Sequence, residues 1–460
     1  MLKVVQPYDR ATITEIETDD AAALERKLQA AERAFKDREG WLQPHQRVAI
    51  LRKLAALMED KRDHLAMQIA REGGKPLPDA IVETTRAIDG VNNAADEMRN
   101  LAGREIAMGL SAASENRWAF TTKEPIGVVA AISAFNHPLN LIVHQTVPAI
   151  AVGCPVIVKP ASATPLSCLD LVALIHEAGL PEEWCQTFIS DDNALAEKMA
   201  TDPRVSFLSF IGSAKVGWSL QAKLANGARS ALEHGGVAPA IVDRSADLDK
   251  VIEPIVKGGY YHAGQVCVST QRIYVHADIA DDFTNRLIAR VEKLRTGDPT
   301  LKDTEVGPLI RPGEADRVAE WIEEAVKGGA KLATGGKRLS ETTLQPAVLL
   351  DPAIDARIST HEIFGPVVAV YRFSDLDDAI AQANALPTAF QSSVFAQDID
   401  AAMRAANRLD SSAVMINDPT AFRTDWMPFA GRRESGYGTG GIPYTMRDMT
   451  HEKMILMHRD

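Results

Sequence analysis

The chain has 460 residues, more than a single hydrophobic core usually supports, so two or three domains are expected. Hydrophobic residues make up 46% and charged residues 24% of the chain, as in ordinary globular enzymes and unlike disordered or fibrous proteins. The net charge of −12 argues against nucleic acid or an anionic membrane as a partner, because both require a basic face.

Membrane insertion and structural metal binding are also disfavoured by the sequence. No apolar run reaches the roughly 18 residues that a membrane span needs, and the first residues do not resemble a signal peptide, so a cytoplasmic protein is expected. The four cysteines lie far apart without a CxxC pair, which argues against a zinc site and a disulfide framework. Cys154, Cys168 and Cys185 have apolar neighbours and are interpreted as packing residues.

The N-terminal part of the chain is predicted to be helical. Residues 20–72 have helical apolar periodicity, which a glycine pair at 73–74 ends. A further helix is predicted over about 79–101, and it carries Arg86, for which a solvated or locally paired side chain is the ordinary interpretation. Residues 103–124 then predict an exposed two-stranded hairpin, whose edge pairing between subunits would cover.

From Pro125 onward, short apolar strands alternate with helices, which predicts an α/β fold with a doubly wound parallel sheet. The predicted elements are strands at 126–133, 155–159, 187–189 and 205–210, and helices at 138–151, 165–178 and 193–200. A sheet of this kind binds a nucleotide at its carboxyl edge, where polar residues follow the strands.

The glycines after strand 205–210 suit a pyrophosphate. Gly212 and Ser213 lie between this strand and a helix, where backbone N–H groups are free to bind an anion. An ordinary strand-to-helix turn is the competing interpretation. A formal GxGxxG at Gly436, Gly438 and Gly441 is rejected as a dinucleotide site, because too few residues follow it to build a βαβ unit.

A second α/β segment is predicted after residue 236. It comprises strands near 239–243, 271–276, 307–310, 345–350 and 365–373, and helices near 247–259, 280–294 and 313–327. The tail at 449–457 predicts a last strand that pairs with the exposed hairpin. Between the helix near 247–259 and the strand at 271–276, Cys267 lies in a glycine-rich turn and is either a nucleophile or, as cysteines usually are, a buried filler.

Six motifs in order resemble the aldehyde dehydrogenase superfamily over nearly the whole chain. They are AFNHPLN at 134–140, KPASATP at 159–165, FIGS at 210–213, LEHGG at 232–236, GQVC at 264–267 and EIFGP at 362–366. The resemblance implies an α/β fold with a Rossmann-like cofactor domain, an α/β catalytic domain and a small β element for oligomerisation. It also implies a homodimer or homotetramer.

The resemblance divides the chain into three parts. The cofactor-binding domain is expected to comprise residues 1–102 and 125–232. The catalytic domain is expected to comprise residues 233–442. Residues 103–124 and 443–460 are expected to form the oligomerisation element.

The catalytic roles implied by the resemblance match the chemistry of aldehyde oxidation. Cys267 would add to the carbonyl as a thiolate. Asn136 and the backbone N–H of Cys267 would stabilise the resulting oxyanion. Glu233, 34 residues before the cysteine, would activate water to hydrolyse the thioester.

For the cofactor, the resemblance implies that Lys159 binds the adenosine ribose and Ser213 lies near the pyrophosphate. Glu362 would bind the nicotinamide ribose, and Phe364 would lie beside the nicotinamide ring. Ser162 stands where many NAD-preferring relatives carry a glutamate that repels a 2′-phosphate. The cofactor is therefore expected to be NAD or NADP, with NADP tolerated.

The substrate is expected to be a small anionic or hydroxylated aldehyde. Positions matching Arg86, His137 and Arg423 would line the mouth of the substrate tunnel in relatives that oxidise phosphonoacetaldehyde, sulfonated aldehydes, lactaldehyde, glyceraldehyde 3-phosphate or succinic semialdehyde. Guanidinium groups bind such anions through paired hydrogen bonds. Val266 argues against strong phosphonate selectivity, and a surface ion pair is the competing interpretation of Arg423.

Three alternatives remain open. A cofactor-independent cysteine hydrolase or thioesterase would also use Cys267 and Glu233. Transfer of the acyl group from the thioester to coenzyme A is disfavoured, because Glu233 is a base that can activate water for hydrolysis. A catalytically silent relative is disfavoured because nucleophile, base and oxyanion amide are all present.

Overall fold

The computed structural model describes residues 1–459, which form a mixed α/β fold with two large sheets, one three-stranded sheet and two two-stranded sheets. The helices are α1 (Ala21–Lys36), α2 (Pro44–Asp60), α3 (Arg62–Gly73), α4 (Leu77–Glu97), α5 (Asn140–Val152), α6 (Leu166–Ala178), α7 (Asn193–Thr201), α8 (Ala214–Gln221), α9 (Leu248–Tyr260), α10 (Ala280–Val291), α11 (Pro312–Lys327), α12 (Arg357–Thr360), α13 (Leu376–Asn384), α14 (Ile399–Arg408) and α15 (Ile442–Asp448). The strands are β1 (Leu2–Val5), β2 (Thr12–Ile16), β3 (Glu105–Ile106), β4 (Arg117–Pro125), β5 (Val128–Ile132), β6 (Val156–Lys159), β7 (Cys185–Thr187), β8 (Val205–Ile211), β9 (Arg229–Glu233), β10 (Ala238–Val242), β11 (Thr270–His276), β12 (Lys331–Thr334), β13 (Ala347–Leu350), β14 (Val367–Phe373), β15 (Thr388–Ala389), β16 (Gln391–Phe395), β17 (Ala413–Ile416), β18 (Arg432–Arg433), β19 (Gly436–Tyr437) and β20 (Thr450–His458).

The first large sheet has the strand order β19-β9-β8-β5-β6-β7, and its strands β5 to β9 are parallel. The chain proceeds from β5 to β7 in one direction and then returns to β8 on the other side of β5. A doubly wound sheet opens a crevice at such a reversal, at the carboxyl ends of the strands. The predicted doubly wound sheet is therefore confirmed, and the loops after β5 and β8 lie where a ligand is expected.

The second large sheet has the order β12-β13-β14-β11-β10-β16-β17, with only the β12–β13 pair antiparallel. Its central strands are buried on both faces, as their Val- and Ile-rich sequences favour. Helices α9, α10 and α11 cover part of it through one apolar core. This sheet carries Cys267 on the segment that enters β11.

The third sheet confirms the predicted pairing of the tail with the hairpin. Strand β20 is antiparallel to β4 over nine residues, from Thr450 opposite Pro125 to His458 opposite Arg117. Strand β3, which is only two residues long, pairs with the other side of β4. The division into domains stays a prediction, and β19, from the expected catalytic part, pairs with β9 of the first sheet.

The prediction of continuous helix over residues 20–72 is wrong in its boundaries. Three helices occupy this region, and the chain leaves the helical path between residues 37 and 43 and again at Lys61, where φ is −105° and ψ is 16°. Pro44 begins α2, because proline lacks the N–H that a helix interior requires but fits the first turn. Apolar periodicity continued across both breaks and concealed them.

The predicted helix near 247–259 is confirmed as α9 and contains Gly258 and Gly259, so of the glycines before Cys267 only Gly264 lies in the turn. A Cβ at Gly258 would lie 2.4 Å from Oγ1 of Thr270, and one at Gly259 would lie 2.5 Å from Cγ1 of Val368. Both glycines therefore allow the helix to pack closely on the second sheet.

Other differences concern short or isolated elements. The predicted strand at 307–310 is wrong, since this stretch is extended loop in which Gln265 binds Ile310 N–H. The N-terminal hairpin β1–β2 and the elements from α13 to β17 were not predicted. Among residues 1–459, no helix is both long enough and apolar enough to cross a membrane.

Candidate active site

One cavity of about 840 Å³ is lined by segments from both large sheets. It brings together ten of the predicted site residues: Arg86, Asn136, His137, Gly212, Ser213, Glu233, Cys267, Glu362, Phe364 and Arg423. Lys159 and Ser162 flank Ala161, which lines one end of the cavity, and lie outside its wall. The tertiary structure therefore places the nucleophile, base, amide and guanidinium candidates around one space.

The nucleophile candidate follows a strained turn. His262, Ala263 and Gly264 have φ values of 48°, 54° and 71°, a left-handed run that costs energy for the two residues with a Cβ. The turn redirects the chain from the end of α9 toward β11. Cys267 is partly exposed to the cavity, whereas Cys154, Cys168 and Cys185 are fully buried, which confirms their packing role.

The Cys267 thiol is strongly held in its neutral form. Burial and, to a smaller extent, the carboxyl groups of Glu362 and Glu233 raise its pKa to about 12 against the opposing effect of the Arg423 guanidinium. A thiolate in this cavity therefore needs a base that removes the proton or a positive charge close to the sulfur.

Asn136 lies against the nucleophile segment. Its side-chain amide donates a hydrogen bond to the backbone carbonyl of Gln265 at 2.9 Å. The Gln265 side chain is itself fixed, because its amide donates to the carbonyl of Pro308 and its Oε1 accepts from the N–H of Ile310. One N–H of the Asn136 amide is thus used for positioning, and Asn136 and Cys267 line the same cavity.

Glu233 ends β9 and faces the loop before α15. Its backbone pairs with Gly436, and its carboxyl group occupies the space that a Cβ at Gly440 would fill, 2.1 Å from that position. Burial raises the pKa of Glu233, and Arg423 opposes the shift. A carboxyl group with a raised pKa and access to the cavity suits a general base.

Glu362 and Phe364 form one wall of the cavity. The Glu362 carboxyl group packs on Gly235, where a Cβ would lie 2.0 Å from Oε2. Burial raises its pKa to about 8, and within residues 1–459 its Oε1 has no hydrogen-bond partner. Phe364 has a left-handed φ of 47°, and its ring packs edge-on against Phe135 at 5.8 Å. A ligand hydroxyl would satisfy the free oxygen.

The loop after β8 is held by the segment that carries Glu233. The N–H of Gly212 donates to the carbonyl of Glu233, and Nδ1–H of His234 donates to the carbonyl of Gly212 at 2.9 Å. Ser213 precedes the first turn of α8, whose N–H groups face this end of the cavity. The arrangement offers backbone donors to an anion, as predicted for a pyrophosphate.

The segment after β6 is also partly buried. Burial lowers the pKa of the Lys159 ammonium group, and Asp191 opposes the shift. Lys159 approaches the carbonyl of Pro160 at 3.5 Å, and Ser162 donates to the carbonyl of Ser190 at 3.4 Å. Both contacts are long and leave these side chains free to bind another group.

The two arginines differ in what they contact. Arg86 donates from Nε and Nη2 to both carboxylate oxygens of Asp425, at 3.2 and 2.9 Å. Arg423 stacks on the ring of Phe429 at 3.5 Å, and its Nε and Nη2 are enclosed without a hydrogen-bond partner in the described part of the chain. Arg423 is thus a desolvated cation facing the cavity, whereas Arg86 is already paired.

Asp425 ties the loop after β17 to helices α4 and α5. Besides Arg86, it accepts hydrogen bonds from Nδ2 of Asn140 at 3.0 Å and from Nε2 of His144 at 2.7 Å. Although burial opposes ionisation, His144 and Arg86 hold the pKa of this carboxyl well below its usual range. Asp425 therefore stays ionised and holds the loop that carries Arg423.

His137 is a neutral side chain in this cavity. Burial lowers its pKa, and the nearby positive charge of Lys75 lowers it further. Its Nε2 lies 3.4 Å from the hydroxyl group of Tyr261. A neutral imidazole beside a phenol can exchange hydrogen bonds with a substrate hydroxyl but does not supply a positive charge.

Sequence reasoning missed Asp425, Tyr261 and Phe429. An aspartate in a loop and two aromatic residues at separate places carry no distinctive pattern. The only available signal was their closeness to Arg423 and Cys267 in the sequence.

Comparisons with known proteins agree with this geometry. Residues 1–455 match the aldehyde dehydrogenase family. The chain is 36% identical over 457 residues to a 3-sulfolactaldehyde dehydrogenase of Priestia aryabhattai, covering 99% of this chain and 95% of that protein.

Two solved structures have nearly the same fold. Aldehyde dehydrogenase 21 of Physcomitrella patens, in complex with the reaction product succinate, has a TM-score of 0.96 and 35% identity, with 99% of this chain and 95% of that chain covered. A glyceraldehyde-3-phosphate dehydrogenase of Methanocaldococcus jannaschii, complexed with NADP, has a TM-score of 0.95 and 33% identity, with 100% and 99% covered. The chain belongs to the aldehyde dehydrogenase family and is an oxidoreductase that acts on aldehydes.

Proposed function

We propose that this enzyme oxidises a small aldehyde bearing an anionic group to the carboxylic acid, with NAD or NADP as the hydride acceptor. The observation that carries the proposal is the buried guanidinium of Arg423, which faces the cavity shared by Cys267 and Glu233 with two nitrogens unpaired. Buried guanidinium nitrogens without hydrogen-bond partners are costly, and an anionic substrate would supply acceptors for them.

The first chemical step is addition of the Cys267 sulfur to the carbonyl carbon. The high thiol pKa requires a proton acceptor, and Glu233 is the carboxyl group that faces the same cavity and can take this proton. The free N–H of the Asn136 amide and the backbone N–H of Cys267 would donate to the oxygen of the hemithioacetal.

A nicotinamide cofactor held beside Glu362 and Phe364 would supply the hydride acceptor for oxidation of the adduct to a thioester. The residues fit such a cofactor, because Oε1 of Glu362 is an unpaired acceptor for a ribose hydroxyl and the Gly212–Ser213 turn offers donors. Once Glu233 has released the thiol proton to solvent, its raised pKa lets it accept a proton from the water that attacks the thioester, and it returns that proton to the departing sulfur. The acid leaves, and the thiol is regenerated.

NADP is expected to be accepted as well as NAD. Ser162 places a hydroxyl where a carboxylate would repel a 2′-phosphate, and Lys159 adds a nearby positive charge. The relative from Methanocaldococcus jannaschii, at 33% identity, is complexed with NADP.

We infer that Arg423 binds the anion and that His137 and Tyr261 bind a hydroxyl group on the substrate. Arg86 lines the same cavity but donates to Asp425, so its direct part in binding is smaller. A carboxylate or sulfonate suits one unpaired guanidinium better than a dianion does. The sulfolactaldehyde enzyme and the succinate complex among the relatives are consistent with singly charged tail groups.

The test is a panel of small aldehydes with a carboxylate, a sulfonate, a phosphate or only hydroxyl groups, assayed with NAD and with NADP. The expected result is preference for the singly charged members. Arg423→Leu should reduce kcat/KM for charged substrates by about 10- to 100-fold, the value of one charge-assisted contact, and barely affect uncharged ones. Arg86→Leu is the matched variant, and it should impair both classes alike through the loop.

A clear preference of the wild-type enzyme for uncharged aldehydes would contradict the anion proposal. The same purified protein separates this reaction from a cofactor-independent cysteine hydrolase, because NADP raises Tm only if it binds the folded protein.

We also propose that the enzyme self-associates as a homodimer or homotetramer through the third sheet. Strand β20 is an edge strand, and its apolar residues Met454 to Met457 are all exposed. An exposed apolar edge favours pairing with another chain, and a second copy offers the same edge.

We propose a cytoplasmic location, because a reducing compartment suits a thiol nucleophile and three further free cysteines.

A further inference from the structure

Two fully buried glutamates lie in neighbouring helices next to the first sheet. Glu72 is in the last turn of α3, and Glu83 is in the second turn of α4. Neither side chain is exposed. Because a buried carboxylate without hydrogen bonds is costly, the partners of these two groups indicate their purpose.

Glu83 binds the start of α5. Its Oε1 accepts hydrogen bonds from the backbone N–H groups of Leu139 at 3.0 Å and Asn140 at 3.1 Å. These residues follow Asn136 and His137, with only Pro138 between them. The first N–H groups of a helix have no intrahelical acceptor, so the carboxylate fixes both the helix end and the segment before it.

Lys75 supplies the counter-charge for Glu83. Its ammonium group is fully buried and donates to Oε2 of Glu83. The same ammonium lies 5.6 Å from the centre of the Tyr261 ring. The ion pair thus connects α4 with the start of α5 and with the segment that leads to Cys267.

Glu72 has the same relation to the start of α6. Its carboxyl group accepts hydrogen bonds from the N–H groups of Leu166 at 2.7 Å and Ser167 at 2.8 Å, and from the hydroxyl group of Ser167. The segment from Lys159 to Pro165, which contains Ser162, ends at this helix. Glu72 therefore fixes the far end of the segment that follows β6.

Strands β5 and β6 are neighbours in the sheet, and the segments that follow them are held on both sides. At the strand side, the N–H of Ser133 donates to the carbonyl of Lys159 at 3.0 Å. At the helix side, the two glutamates supply the fixed acceptors. Each segment is therefore anchored at its ends, and its middle residues are presented to the ligand.

We propose that Glu83 is a positioning residue that fixes the segment carrying the oxyanion amide of Asn136. Glu72 is the positioning residue for the cofactor segment that carries Lys159 and Ser162. The inference rests on the proposed roles of Asn136, Lys159 and Ser162. It predicts that loss of Glu83 slows the chemical step and that loss of Glu72 weakens cofactor binding.

The experiment compares Glu83→Gln and Glu72→Gln with the wild-type enzyme. In Glu83→Gln the unpaired Lys75 ammonium competes with Leu139 and Asn140 for the one remaining oxygen, which would displace Asn136. Misplaced catalytic groups lower the rate steeply, so this variant should reduce kcat by about tenfold or more and change the Kd of NADP by less than about twofold. Glu72→Gln should raise the Kd of NADP by about fivefold or more with a much smaller loss of kcat. The Kd is measured by fluorescence titration, independently of turnover.

Glu59→Gln is the matched control. Glu59 is an exposed residue of α2 that pairs with Arg62 on the surface, and its substitution should alter neither quantity. Glu72→Gln is expected to fold, because burial already raises the pKa of Glu72 to about 7 against the hydrogen bonds from Ser167, so neutralising this group costs little.

Glu83→Gln leaves the Lys75 ammonium buried without a counter-charge, which can prevent folding. The double variant Lys75→Met with Glu83→Gln removes both charges and keeps an oxygen acceptor for Leu139 and Asn140. Lys75→Met with Glu83→Leu removes the acceptor as well. If the acceptor positions Asn136, the first double variant retains kcat and the second loses it, although both fold.

Equal effects of the Glu72 and Glu83 variants on kcat and Kd would overturn the proposal, as would changes in Tm alone. Hydrogen exchange at residues 139–141 and 166–168 should increase only in the Glu83 and Glu72 variants, respectively. If the wild-type enzyme oxidises no aldehyde of the panel, the substrate proposal fails, whereas the NADP Kd and local exchange still test the two glutamates.

Discussion

Cys267 is poorly ionised in a cavity that contains two carboxyl groups. The carboxyl groups of Glu362 and Glu233 raise the thiol pKa beyond the effect of burial, and Arg423 opposes them. Cys267 is therefore kept as a thiol until a base acts on it. Such a site protects the sulfur from oxidation at neutral pH, because the thiolate is the reactive form.

Alkylation of Cys267 by iodoacetamide tests this interpretation. In the protein without ligands, the rate should rise steadily from pH 7 to pH 9, by about tenfold per unit, without a plateau. Glu362→Gln should increase the rate at pH 9, because an ionised neighbour is removed. Peptide mass spectrometry measures modification at each cysteine, and the buried Cys154, Cys168 and Cys185 serve as internal controls. A plateau below pH 8 would contradict the raised pKa.

Strand β20 is more exposed than a strand of an isolated chain usually is. It pairs with β4 on one side, and on the other side its backbone groups have no neighbouring strand among residues 1–459. Its residues from His451 to His458 are exposed on both faces. A long apolar edge strand is an aggregation hazard unless it is paired, which favours a regular assembly that covers it.

Charged substitutions on β20 test the proposed assembly. Ile455→Lys combined with Met457→Lys places charges on the exposed edge strand, and the expected result is a smaller particle by size-exclusion chromatography with light scattering. Lys327→Glu, a charge change on the exposed face of α11, is a control that should leave the assembly unchanged. An unchanged particle mass in the β20 variant would place the interface elsewhere.

The whole molecule carries buried acids whose ionisation opposes folding. Burial raises the pKa of Glu362 from its ordinary value of 4.5 to about 8 and that of Glu72 to about 7. The folded protein binds these protons more tightly than the unfolded chain does. Stability from these groups is therefore greatest below pH 4.5 and falls as pH rises toward 8. The contribution of Asp425 to stability changes with pH in the opposite direction. The pKa of its carboxyl group is lowered in the folded protein, so this group stabilises the fold above about pH 4, and the contribution is lost as the pH falls.

Glu362→Gln should reduce the loss of stability between pH 6 and pH 9. Removing a carboxyl group that must ionise in this window should recover roughly 1 to 2 kcal/mol at pH 9 relative to pH 6. Calorimetric Tm values of both proteins without cofactor, at the two pH values, measure the effect. Glu59→Gln again serves as the control, and an identical pH dependence in Glu362→Gln and wild type would contradict the pKa shift.

The sequence by itself determined the alternation of strands and helices, the parallel character of the buried strands and the pairing of the tail with the hairpin. Buried parallel strands leave uninterrupted apolar runs, and motifs at strand exits keep their order along the chain, so both are visible in one dimension. The order of these motifs resembles that of the aldehyde dehydrogenase superfamily, and this resemblance implied Cys267, Glu233 and Asn136 as one constellation.

Tertiary structure decided which charges are free. Arg86 and Arg423 have the same chemistry, and only the position of Asp425, contributed by a distant loop, makes one of them paired and leaves the other available. The burial of Glu72 and Glu83 likewise depends on contacts between residues far apart in sequence. Hydrogen bonds and desolvation act through space, and local patterns report only the neighbours along the chain.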